Sequence, residues 1–180
     1  MLNILCNPRL VKGEMMCYVE EKERNRMNAE SLQIIPASEE TVLRRAAVVH
    51  AISWQDSHRA FCAPEFVAAH TPERQYGYLR EKVQNGSRVF LLLAEGQPVG
   101  VVTVTGSVIA DLYVLPERRN RGYGGSLLRY AMDECDGSPA LWILSNNHGA
   151  ERLYRRNGFT PTGRVEKHPG GFDELEFVHD

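Results

Sequence analysis

Glu117-Arg118-Arg119-Asn120-Arg121-Gly122-Tyr123-Gly124-Gly125-Ser126-Leu127-Leu128 sets arginines and glycines between an apolar run, Leu112 to Leu115, and a segment of helical character. A glycine-rich turn leading from a strand into a helix presents unpaired backbone N–H groups at the positive end of the helix dipole, a geometry that binds phosphate. Glycine suits such a turn because a Cβ would hold the anion away from the main chain. Arginine beside it adds charge-assisted, often bidentate, hydrogen bonds to phosphate oxygens. Taken alone, the Gly-x-Gly spacing describes a plain tight turn equally well.

Three better-known patterns do not fit. The dinucleotide fingerprint G-x-G-x-x-G, counted from Gly122 and Gly124, puts Leu127 where its last glycine belongs. The Walker pattern needs Gly-Lys-Ser/Thr, and no lysine follows these glycines. A nucleophile elbow around Ser126 would need glycine where Leu128 stands.

Working outward, the stretch is preceded by three apolar segments in "RVFLLLAEGQPVGVVTVTGSVIADLYVLP", divided at residues 95–98 and 105–107. Loops this short make antiparallel hairpins. Upstream, "SLQIIPAS" predicts a strand ending at Pro36, and Ser38 is placed to cap a helix with Glu39 and Glu40 in its first turn. Val42, Ala46, Val49 and Ile52 or Ser53 recur at helical spacing and carry that helix to about residue 53. "SWQDSHRAFCAPEFVAAHTP" has no sustained period. "PERQYGYLREKVQNG" predicts a second helix, with Pro72 at its start and Gly86 beyond its end.

Downstream, a helix to about Asp136 leads to a strand, "ALWILS", then to a short helix, "GAERLYRRN", closing at Gly158 with Phe159 packing back on it. "GRVEKHPGGFDELEFVH" predicts two strands around a turn in which Gly170 takes a positive φ. The order predicts one α/β layered domain with a mostly antiparallel first half.

The chain has 180 residues, 43% hydrophobic and 24% charged, with a formal net charge of -2, so nothing global favours nucleic acid or anionic membranes. Residues 1–30, dense in charge around "VEEKERNRMNAE", predict an N-terminal extension, with Met15, Met16 and Met27 as alternative starts; the domain proper is expected over 31–180. Cys6, Cys17, Cys62 and Cys135 are scattered without a C-x-x-C pair, which suits free thiols in a reducing compartment. No run reaches the roughly 18 apolar residues of a spanning helix, so a cytoplasmic protein is expected.

One spacing survives: Arg119-x-x-Gly122-x-Gly124 after "LYVLP" and before "SLLRYA". "DLYVLPERRNRGYGGSLL" resembles the coenzyme A pyrophosphate motif of the GNAT N-acyltransferase superfamily, Arg/Gln-x-x-Gly-x-Gly/Ala. Downstream, Asn147-x-x-Ala150-x-x-Leu153-Tyr154, closing on Gly158-Phe159, is similar to that family's last patterned segment. The two motifs cover about residues 109 to 160, and the looser strand order extends the likeness from about 32 to 178. The resemblance implies a GNAT-like three-layer fold with a central mixed, mostly antiparallel sheet flanked by helices. It also implies acetyl-CoA as cosubstrate, an amine acceptor and a possible homodimer.

Carried over residue by residue, the resemblance assigns the pyrophosphate to the backbone from Arg119 through Asn120, Arg121, Gly122, Tyr123 and Gly124, with Gly125 and Ser126 continuing into the helix. Asn120 stands where relatives often have glycine, and asparagine tolerates left-handed backbone. The backbones of Tyr113 and Val114 are implied to face the pantetheine arm and polarise the acyl carbonyl, and Asn147 to contact the arm. Tyr154 matches the tyrosine that protonates the departing thiolate. A phenol of pKa about 10 keeps its proton for a thiolate whose conjugate acid lies near 8.5.

The glutamate that serves some relatives as general base falls at Val108, so that base is missing. At period two, Asp111 and Tyr113 are expected on the face opposite Val108.

Two arginine clusters, 118–121 and 152–156, raise nucleic acid as an alternative. Each adjoins a coenzyme motif, and a solvated helix face explains Arg152 and Arg155. Trp54, His58 and Phe61 fall where the family walls its acceptor pocket, although packing on the core explains them as well. His50, His70, His148, His168 and His179 lack metal-ligand spacing, as expected of an enzyme without a metal. The expectation is acetyl transfer by direct amine attack, with a small-molecule acceptor ahead of a protein N-terminus or lysine. The alternative is an acyl-CoA-binding regulator that does no chemistry.

Overall fold

The computed structural model describes residues 32–60, 62–167 and 173–179. The N-terminal extension with Cys6 and Cys17, and also Phe61, His168 and the turn at Gly170, lie outside the described residues.

Seven strands form one sheet: β1 (Leu32–Pro36), β2 (Arg88–Ala94), β3 (Gln97–Thr105), β4 (Val108–Val114), β5 (Ala140–Leu144), β6 (Phe159–Lys167) and β7 (Asp173–His179), in spatial order β1-β2-β3-β4-β5-β7-β6. Every neighbouring pair is antiparallel except β4 and β5, which are parallel. The mixed, mostly antiparallel sheet is therefore as expected.

Helices cover both faces, which is why β2 and β3 read as continuous apolar runs rather than as alternation. Phe90, Leu92, Val102 and Val104 turn to one face, where Leu127, Leu128 and Ala131 of α4 (Tyr123–Asp133) and Tyr154 of α5 (His148–Arg156) pack. Val89, Leu91, Leu93 and Val101 turn to the other, against Leu43, Ala46, Ala47 and Val49 of α1 (Glu40–His58) and Leu79 of α3 (Pro72–Gln84).

Local expectations held in some places and failed in others. Thr71 caps α3, its side chain accepting from the Arg74 N–H, and Gly86 follows at φ 89°. Ser38 does not cap α1: Glu39 holds that position, with no side-chain cap bond. The helix also runs five residues past 53, to His58. Past that point Ser57 Oγ and His58 Nδ1 both lie on the Trp54 carbonyl, at 2.9 Å, and the His58 ring stacks on Trp54 at 3.8 Å. Side-chain contacts at helical spacing thus continue the helix after the apolar period has ended. A short helix α2 (Pro64–Ala68) occupies part of the segment in which no element was expected, and α4 ends at Asp133 rather than 136.

Candidate active site

Strands β4 and β5 pair only at Val108 with Ala140 and Ile109 with Leu141, then diverge. A cleft of about 640 Å³ fills the opening, lined by the Arg/Gly loop and by Asn147 and Tyr154. The edge of β4 that faces β5 has no strand partner from Ala110 to Val114, and Tyr113 and Val114 line the cleft.

After β4, a 3-10 turn over Pro116–Arg118 leads into the loop. Asn120 takes φ 61° and Gly122 φ 86°, the left-handed backbone that asparagine and glycine adopt most readily. Gly122 is the N-cap of α4 and offers no side-chain cap, so the first N–H groups of that helix are left for another acceptor. Among the described residues, no backbone acceptor faces the N–H groups of residues 120–125. Gly124 has a second reason to be glycine: a Cβ there would sit 3.3 Å from Leu153 of α5.

Two N–H groups of the expected phosphate set have acceptors within the chain. The Arg119 N–H donates to Pro116 O, and the Ser126 N–H to Gly122 O as the first helical bond. Arg121 and Ser126 do not line the cleft, whereas Asn120, Gly122, Tyr123, Gly124 and Gly125 do. The Arg119 guanidinium is committed elsewhere: Nε donates to Val114 O at 3.3 Å, and Nη1 meets Asp56 of α1 at 2.6 Å. It braces the end of β4 against the end of α1.

Asn147 is the N-cap of α5, its Oδ1 accepting from the Ala150 N–H at 3.1 Å. Its NH₂ group has no partner among the described residues. Tyr154 is 6% exposed and packs on Phe159. Burial pushes its phenol well above the ordinary value, so it holds its proton throughout the neutral range.

One expectation about β4 is overturned. The register with β3 pairs Thr105 with Val108, Val104 with Ile109 and Thr103 with Asp111, which makes Ala110 an extra, bulged residue. A bulge reverses the alternation beyond it. Val108, Asp111 and Tyr113 therefore share the face covered by α1 and α3, while Ile109, Leu112 and Val114 face α4. A carboxylate thus stands on the same face as the position where the glutamate is missing.

Asp111 accepts from His50 Nε2 at 3.3 Å and from the Tyr78 hydroxyl at 3.3 Å. Burial alone would raise its carboxyl, but the hydrogen bond and charge of His50, with the charge of Lys82, hold it below the usual carboxylate range. Metal-ligand spacing gives no sign of this role of His50. A signal was present: His50 and Ser53 stand three apart on the apolar face of α1, where buried polar groups call for partners. Among the described residues, no group of His, Cys, Asp and Glu could hold a metal ion.

An unpartnered helix start thus opens on a gap between two parallel strands of this mixed sheet. Residues 85–161 match the family model described as Acetyltransferase (GNAT) domain. The chain is also 33% identical over 89 residues to a mycothiol acetyltransferase of Segniliparus rotundus, an alignment covering 46% of this chain and 34% of that protein. It thus spans about a third of the length of that curated relative.

Two solved structures share the fold at low identity. The PaiA N-acetyltransferase of Thermoplasma acidophilum, solved with coenzyme A, matches with TM-score 0.60 and 18% identity over 81% of this chain and 98% of its own. YncA of Salmonella typhimurium, solved with acetyl-CoA, matches with TM-score 0.62 and 19% identity over 82% and 92%.

Proposed function

We propose that this protein transfers an acetyl group from acetyl-CoA to a primary amine, with a small-molecule amine as acceptor. The observation that carries this reading is the set of unpartnered N–H groups at Asn120 and Gly122 through Gly125, opening on a cleft that the buried, protonated Tyr154 also lines.

In this reading the loop N–H groups and the positive end of α4 bind the pyrophosphate. The unpaired edge of β4 near Tyr113 and Val114 holds the pantetheine arm and donates to the carbonyl oxygen as negative charge builds there. The amine nitrogen attacks the carbonyl carbon, the C–N bond forms and the C–S bond breaks. Tyr154 gives its proton to the departing thiolate, and the proton lost by the nitrogen restores the phenol through solvent. Arg119 acts mainly by bracing β4 and α1 rather than as the principal phosphate ligand, and Asn147 offers its NH₂ group to the arm.

The GNAT model match and the two coenzyme-bound structures of the same fold support acetyl-CoA as the donor. Free thiols at Cys62 and Cys135 support a reducing, cytoplasmic setting. No described helix is long and apolar enough to cross a membrane.

Calorimetric titration with acetyl-CoA, CoA and NAD tests the reading. Saturable binding of acetyl-CoA and CoA but not NAD is expected, followed by thiol release when amines are added. Absence of acetyl-CoA binding would overturn it. Binding without thiol release to any amine would leave an acyl-CoA-binding regulator.

A further inference from the structure

On the α1–α3 face of the sheet a second cavity, of about 210 Å³, lies beside the cleft. It is walled by His50 and Trp54 of α1, by Arg74, Gln75 and Tyr78 of α3, and by Asp111 of β4, with His70 closing one side. Asp111 is the residue that lines both this cavity and the cleft. A group held against its carboxylate therefore stands where the two spaces adjoin.

We propose that this cavity receives the acceptor, and that the acceptor is a small molecule of amino-acid type, its amine against Asp111 and its anionic group against Arg74. The proposal rests on the acetyl-transfer reading above.

Charge is the first argument. The Asp111 side chain is 11% exposed, and bonds from His50, Tyr78 and Thr103 take about three of the roughly four acceptor sites a carboxylate offers. It retains the capacity to accept from an amine. Arg74 is exposed at the rim and makes no ion pair among the described residues. A free guanidinium at the edge of a pocket suits a carboxylate, which it can hold by two parallel bonds.

Unsatisfied polarity is the second. His50 Nδ1 is buried and has no partner among the described residues. Buried polar groups are ordinarily hydrogen-bonded, so this unpartnered nitrogen on the wall of the cavity points to a polar occupant.

Size and shape are the third. The volume corresponds to about seven waters at ~30 Å³ each, the scale of a free amino acid rather than a peptide. Both faces of Trp54 are covered, by His58 at 3.8 Å and His70 at 3.5 Å. It presents an edge and not a face, so the cavity is not an aromatic cage for a quaternary ammonium.

The test uses the full chain with saturating acetyl-CoA, reading thiol release with free amino acids, their carboxamides, n-alkylamines and a tripeptide. Some free amino acids should show kcat/KM at least tenfold above their carboxamides and above every alkylamine. Arg74→Gln, an exposed change that leaves the core untouched, should erase that tenfold preference through KM with kcat kept. Asp111→Asn should lower kcat/KM for all amines while acetyl-CoA still binds. A preference for alkylamines or the tripeptide would overturn the proposal, as would a preference that survives Arg74→Gln. If acetyl-CoA binds but nothing in the panel is acetylated, the acceptor assignment falls and donor recognition stands. If acetyl-CoA does not bind, the underlying reading falls first.

Discussion

On the α4–α5 side, the cleft is bounded by main chain: the N–H groups of residues 120–125 and the unpaired edge of β4. On the α1–α3 side, the second cavity is bounded by side chains drawn from three separate elements, His50, Arg74, Tyr78 and Asp111 among them. A site made from main chain depends on φ values and on the absence of a Cβ, so it tolerates varied side chains nearby. A site made from side chains depends on which residues the fold brings together, and it can change acceptor by changing a few of them. A constant donor and a variable acceptor suit that division.

Tyr154 breaks the pattern, being a side chain on the main-chain side, and the largest effect is expected there. Tyr154→Phe keeps the ring that packs on Phe159 and removes only the hydroxyl. Losing a positioned general acid typically lowers rate by about 100-fold or more. Steady-state kinetics should show that fall in kcat, with calorimetry giving an unchanged acetyl-CoA affinity. An unaltered kcat would mean that the thiolate takes its proton from water.

The division itself is sharpened by pairing Gly122→Val with Arg119→Ala. A β-branched residue at φ 86° carries strain of roughly 1–3 kcal/mol, which would reshape the turn and weaken acetyl-CoA binding about tenfold or more. Arg119→Ala removes a guanidinium already engaged by Asp56 and Val114 O, so its effect on affinity should be smaller. Were the arginine change the more damaging in calorimetry, donor recognition would belong to side chains after all.

The same division explains what could be read from the sequence. Glycines at 122 and 124 and asparagine at 120 carry the loop's backbone geometry in their own identities, and the hairpins of β2 to β4 announce themselves through short polar breaks. Nothing local ties His50, Tyr78 and Asp111 together, because 61 residues separate the first from the last. The bulge at Ala110 carries no glycine or proline to mark it, so counting by twos from Val108 put Asp111 on the wrong face. The extent of α1 was missed because Trp54 and His58 continue it through polar and aromatic contacts rather than through apolar periodicity.

A smaller effect should follow from Thr71→Ala on the side-chain side. Thr71 caps α3, its hydroxyl accepting the Arg74 N–H at 3.2 Å. Loss of such a cap costs about 1 kcal/mol, to be read as a lower urea midpoint with an unchanged slope. Because α3 carries Arg74 and Tyr78 but no part of the loop, acetyl-CoA affinity should not move. A parallel loss of donor affinity would show that the two sides are not separable.

The smallest effect separates the two sides by titration, since main-chain N–H groups do not ionise and imidazoles do. His58 and His70 sandwich Trp54. Burial lowers both rings below the ordinary value of 6.5, against the opposing pull of their bonds to the Trp54 and Phe66 carbonyls. With the folded value depressed, the unfolded chain takes up protons first as pH falls. The stack's contribution is therefore complete above 6.5 and declines as pH drops through and below it. In a Trp142→Phe background, Trp54 fluorescence and thermal midpoints should report this loosening between pH 7 and 5, and His58→Gln should flatten the profile. Acetyl-CoA affinity over the same range should stay level once the coenzyme's own phosphate titration is subtracted. A donor affinity that follows the Trp54 signal would instead make α1 a link between the two sites, with the Arg119–Asp56 pair as its point of contact.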